Sequence, residues 1–165
     1  MAYLDSSQRN LLEKAVVTAR KITEAGAKNA LIALAVNNSE PFGNMSSEQK
    51  ILRNHLRHKG RLLGDILIQE GKAKGEQSLD NLSSELAYEY WHKMLFAKFL
   101  EVNNLLMHPS GVSVSMSECE ELASEEEYLD KWHAASFYAS KMLPAIFRPE
   151  DPLMSVEFAT EDRIK

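Results

Sequence analysis

Cysteine is nearly missing from this chain: Cys119 stands alone among 165 residues. That excludes an internal disulfide and a cysteine-built metal cluster, and its expected state is a reduced, partly buried thiol. Long apolar runs are missing too. The longest, Ala30 to Val36, falls far short of the ~20 residues that cross a bilayer. The opening MAYLDSSQRN lacks the basic-then-apolar order of a signal peptide. A soluble, cytoplasmic protein with no membrane partner is expected. An excess of positive charge is also absent, since the net charge is −5 and the pI is about 5.6. Bulk charge therefore does not make the whole chain a nucleic-acid binder, although a local basic face stays compatible with it. G-x-S-x-G, the P-loop, G-x-G-x-x-G and H-E-x-x-H do not occur, so no catalytic residue is assigned.

What is present is helical periodicity. The organising stretch is Glu85 to Leu106, ELAYEYWHKMLFAKFLEVNNLL. Its polar strip is narrow and its apolar arc far wider than a surface helix needs, so packing on several sides is expected. Lys98 and Glu101 interrupt that arc three residues apart and are read as an ion pair. Upstream, Asp5 with Gln8 can form a capping box. Leu12, Ala15, Val16, Ala19 and Ile22 then repeat at helical spacing as far as Gly26. Ala27 to Val36 reads as a second, buried helix or a kinked continuation. Ser46 with Gln49 predicts a helix from about Ser47 to Glu70, stopped by Gly71. Ser117 with Glu120 predicts a short acidic helix. A last helix from near Asp130 carries Trp132, Ala135, Ala139, Met142, Leu143, Ile146 and Phe147 on one face, with a kink at Pro144. Val112, Val114 and Met116 give the single strand-like signal. The expected architecture is all-α, an irregular bundle of about five to six helices around a central one near 82–106. Residues 1–152 are expected to form one domain and 153–165 a tail or linker.

The strongest chemical signal is a basic helix. By the rule of 100° per residue, Lys50, Arg53, Arg57 and Arg61 fall within about 80° of one another. His58 and Lys59 flank them, and Lys72 and Lys74 follow in the next loop. Cations at one-turn spacing could track a phosphate backbone; the simpler reading is a solvated charged face. No aromatic interleaves with them, so base stacking is not indicated. Phe96, Phe137 and Tyr138 point away from the main apolar faces of their helices and are read as a contact surface for another domain or subunit. His55 and His58 share a helix face but lack a third ligand, so no metal site is assigned. The carboxylates between Glu118 and Asp130 are read as first-turn helix charges.

ELAYEYWHKMLFAKFLEVNNLL, then HPSGVSVSMSECEELA, then WHAASFYASKMLPAIFRPEDP, resemble the N-terminal helical region of large N6-adenine DNA methyltransferases of the restriction-modification and phage-defence class. LRNHLRHKGRLLGD is similar to a segment that precedes them there. The resemblance covers roughly Ile51 to Pro152 and consists of helix-packing residues. One departure is Lys98, where the family commonly has arginine. The family's adenosylmethionine-binding F-x-G-x-G and catalytic N-P-P-Y do not occur in this chain. The resemblance therefore implies an accessory, non-catalytic piece of a longer enzyme. It implies no cofactor in this chain and S-adenosylmethionine in the parent, with DNA and the methylase domain of the same polypeptide as partners. Base flipping and methyl transfer would fall to that other domain. The alternative is a stand-alone helical protein–protein interaction domain. A metal-dependent enzyme using His55 and His58 is the weakest reading.

Overall fold

The computed structural model describes residues 5–163. Among these, six α-helices and two 3-10 turns carry the fold, with no strand: α1 Ser6–Ala33, α2 Ser47–Leu62, α3 Asp80–Val102, α4 Met116–Glu125, α5 Lys131–Met142 and α6 Pro144–Phe147. The 3-10 turns are Pro152–Ser155 and Thr160–Asp162. The all-α expectation holds. The strand-like signal amounts to an isolated bridge between Met107 and Ser113. Among the described residues two compact units emerge where one domain with a tail was expected: residues 5–88 with 155–163, and residues 89–154.

Helix starts follow the sequence closely. Asp5 and Gln8 cap α1 reciprocally, as do Ser46 and Gln49 for α2, each box satisfying two otherwise orphaned N–H groups. For α4 the box is shifted: Ser115 and Glu118 form it, not Ser117 and Glu120. Pro144 ends α5 and opens the separate α6 rather than kinking one long helix. It sits at the first helical position, where its missing N–H costs nothing.

Helix stops differ more. α1 runs unbroken through Gly26 to Ala33. Gly26 is there for space, since a Cβ would lie 3.0 Å from Asp162 Cβ and 3.1 Å from the Phe158 ring. The expected tail is thus folded against α1. Val156 and Phe158 are buried, and Asn29 Nδ2 donates to Asp162 at 3.1 Å. α2 stops at Leu62 because Gly64 takes φ +101°. There Gly64 N–H donates to Arg61 O and Asp65 N–H to Gly60 O, a Schellman closure. α1 and α3 close the same way through Ala35 and Asn104, at φ 53° and 56°.

In the first unit, Asp65 is buried behind that closure. Its carboxylate accepts from Asn81 N–H at 2.9 Å and Leu82 N–H at 3.1 Å, so it caps the first turn of α3 and places negative charge at the positive end of the helix. Gly60 makes room, because a Cβ there would stand 2.6 Å from Gln77 Nε2 and 2.9 Å from Asp65 Oδ2. In the second unit, the later part of α3 packs with α4, α5 and α6 around Ala97, Leu100, Cys119, Ala134, Ala135, Tyr138 and Phe147. The alanines let helices approach closely enough to enclose one large ring. On α3, Leu82, Leu86, Met94 and Leu100 are buried, whereas Leu95, Phe99 and Val102 are exposed. The expected packing on several sides therefore leaves the stripe of Leu95, Phe99 and Val102 uncovered. Lys98 and Glu101 form the expected ion pair.

Candidate nucleic-acid interface

α2 is rotated from its apparent amphipathicity, burying Leu56 of the apolar side together with part of the basic one. Arg53 and Arg57 are only 4% and 8% exposed, while Ile51 and Leu62 face solvent. The reason lies in where α1 ends. Arg53 Nε donates to Ala35 O at 2.8 Å, and its Nη2 to Asn38 O and to Ser39 O at 3.1 Å. Arg57 donates to Val36 O at 2.7 Å, to Asn38 O, and to Gly75 O at 2.7 Å. Most of these carbonyls follow the C-terminus of a helix, where partial negative charge accumulates and cations are favoured. Burial is the chief influence lowering the proton affinity of both guanidiniums; repulsion from Arg53 and Arg61 adds to it at Arg57. Apart from Arg53 Nη1, which donates to Asn54 Oδ1 at 3.2 Å, their bonded donors are directed at backbone carbonyls of the protein, so the expectation that Arg53 and Arg57 contact phosphate is corrected.

The other sequence-assigned cations are arranged differently. Lys50, His58 and Arg61 are exposed, and they lie on one strip of α2 within about 80° by the same wheel rule. Arg61 also donates to Gln77 Oε1 at 3.0 Å. Lys72 and Lys74 are exposed in the loop after α2, while Lys59 is half-buried and lies off that strip. His55 and His58 are both exposed, and no group of three metal-ligating side chains occurs among the described residues.

The expected aromatic contact surface is also revised. Tyr138 is completely buried at the centre of the second unit. Phe96 and Phe137 are partly buried against the same core. Phe96 meets Phe147 edge-on at 5.8 Å and Phe137 lies 5.2 Å from the Tyr128 ring. On α5 wheel projection misplaced Phe137 and Tyr138 because the buried face runs through Ala134 and Tyr138 as well as Ala135 and Ala139.

Tyr138 belongs to a polar chain that the sequence did not announce. Its hydroxyl donates to Glu126 Oε2 at 2.9 Å, and the other carboxylate oxygen lies 2.8 Å from His108 Nε2. His108 Nδ1 accepts from Ser110 N–H at 3.1 Å and faces Ser110 Oγ at 2.7 Å. Accepting at Nδ1 leaves the proton on Nε2, directed at Glu126. The hydrogen bond from His108, then that from Tyr138, holds the Glu126 carboxyl below its ordinary range. Burial, then Glu126, raises the Tyr138 phenol. A carboxylate whose folded value is depressed contributes stability above its unfolded value and loses it as pH falls through the folded one. Melting temperature is therefore expected to drop on acidification below about pH 4.3. Glu48, Glu101 and Glu118 are depressed as well, so Glu126→Gln should reduce that acid limb in a pH series of thermal melts without abolishing it; an unchanged limb would remove Glu126 as a contributor.

No protein-family model, curated protein or solved structure matches this chain. Fold and site together define an all-α protein with a short exposed cationic strip.

Proposed function

We propose that this chain is an N-terminal helical accessory domain of an adenine-specific DNA methyltransferase of the restriction-modification or phage-defence class. Alone it is non-catalytic; S-adenosylmethionine and the chemistry belong to a methylase domain on the same polypeptide. The resemblance across Ile51 to Pro152 carries this reading. Two features support the roles assigned within it. Lys50, Arg61, Lys72 and Lys74 leave exposed cations for DNA phosphates, with the exposed His58 beside them. Leu95, Phe99 and Val102 form an exposed apolar stripe on α3, inside the segment that carries the resemblance, and this replaces Phe96, Phe137 and Tyr138 as the docking surface. The same stripe would serve the second reading, a stand-alone helical interaction domain.

DNA binding separates the two. Anisotropy titrations of duplex DNA at two salt concentrations are expected to show salt-dependent affinity. Combined Arg61→Ala, Lys72→Ala and Lys74→Ala should weaken it and flatten the salt slope by roughly one for each phosphate no longer neutralised. Affinity that ignores both salt and the triple substitution would sink the DNA role and favour the interaction domain.

A further inference from the structure

The exposed face of α1 carries an inference separate from the DNA reading. Thr23, Gly26, Ala27, Ala30 and Leu31 are buried, and they share one side of the helix. Wheel projection continues that side toward the N-terminus as Leu12, Ala15, Val16 and Ala19. There it loses its cover: Leu12 is 53% exposed and Val16 39%. Leu11 and Ile22, also exposed, widen one margin of the stripe. An apolar face that is core over one half of a helix and bare over the other is an unfinished packing surface.

Charge selects the occupant. Arg20 and Glu13 border the Val16 margin. A second α1 crossing antiparallel near Val17 sets Leu12 level with Ile22 and Ala15 with Ala19, and brings Glu13 to within one residue of the level of Arg20 of the other copy on the same margin, each twice by symmetry. A parallel crossing would instead set that charged margin against the apolar margin of Leu11 and Ile22, which pairs neither charge. Ala15 and Ala19 at the crossing point allow close approach of the two backbones. Arg20 holds Glu24 of its own helix at 2.8 Å on the exposed surface, a pair weak enough to be shared or exchanged. We propose that the exposed half of α1 is a self-association surface on which α1 of a second copy crosses antiparallel. One helix crossing covers less than the ~1,600 Å² of a standard interface, so the dimer is concentration-dependent.

Sedimentation equilibrium over a wide range of protein concentration tests this. A monomer–dimer equilibrium is expected for the native chain. Leu12→Asp should abolish it with far-UV circular dichroism unchanged, because Leu12 is solvent-facing in the monomer. Glu13→Arg and Arg20→Glu should each weaken the dimer several-fold, and the two combined in one chain should restore it. A chain that stays monomeric throughout, whether or not it binds anionic phospholipid vesicles, overturns the proposal. So does a dimer indifferent to Leu12→Asp, or one that the paired charge reversal fails to restore.

Discussion

Arg57→Ala is expected to destabilise the first unit by about 3 kcal/mol, within the range for breaking a buried, charge-assisted hydrogen-bond set. The side chain donates to three backbone carbonyls, those of Val36, Asn38 and Gly75. Alanine leaves Val36 O and Gly75 O without that donor in a place water reaches poorly, and it empties the volume the guanidinium fills. Asn38 O retains Arg53, which limits the loss at that acceptor. Lysine should recover only part of the stability, since an ammonium keeps the charge but not the planar fork that reaches separate acceptors. Urea unfolding should show the lowered midpoint, whereas Lys50→Ala on the exposed strip should stay within about 0.5 kcal/mol of the native chain. A phosphate-contacting Arg57 would give the opposite pattern, with unfolding unchanged and DNA affinity lost. Finding that pattern would reverse the assignment of Arg57 to the fold.

The contrast between Arg57 and Lys50 shows what the sequence could and could not convey. Periodicity and capping are local, so the starts of α1, α2 and α5 were legible at Asp5, Ser46 and Asp130. Helix ends were less so, because only Gly64 among the residues closing α1, α2 and α3 is a glycine. Ala35 and Asn104 close α1 and α3 with the same hydrogen bonds while giving little sign in composition. At Ala35 the left-handed backbone costs roughly 1–2 kcal/mol, and the buried Arg53 hydrogen bond to its carbonyl helps hold it there. The side on which α2 is buried was illegible for a further reason. A wheel assigns arginine to water, but here the end of α1 supplies a row of carbonyls that only a multi-donor cation could satisfy. That choice depends on a helix terminus some twenty positions away in sequence, which no window along α2 contains. Within the candidate site, the exposed strip was legible as charge spacing, and the inward turn of its two central arginines was not.

Tyr138→Ala is expected to cost the second unit about 3–5 kcal/mol, the range for deleting a buried large aromatic. The ring is fully buried and meets His108 edge-on at 5.1 Å and Tyr128 at 5.9 Å. Its removal opens a cavity among Ala134, Ala135 and Ala139, whose short side chains cannot move in to fill it. Tyr138→Phe keeps the ring and deletes only the hydroxyl donated to Glu126, so about 1 kcal/mol should be lost. The two variants divide the contribution into packing and hydrogen bonding. They also decide between a docking role and a core role for this residue. A docking tyrosine would tolerate alanine with an unchanged unfolding midpoint and lose affinity for its partner. A core tyrosine should lower the midpoint strongly as alanine and slightly as phenylalanine. The phenylalanine variant bears as well on the acid limb assigned to Glu126. The Tyr138 hydroxyl is the second of three hydrogen bonds that depress that carboxyl, after His108 and ahead of Tyr128, so its deletion should shrink the acid limb while leaving the part due to the other two. An acid limb as steep in Tyr138→Phe as in the native chain would mean that His108 and Tyr128 hold Glu126 without it, and that this tyrosine serves the core through its ring.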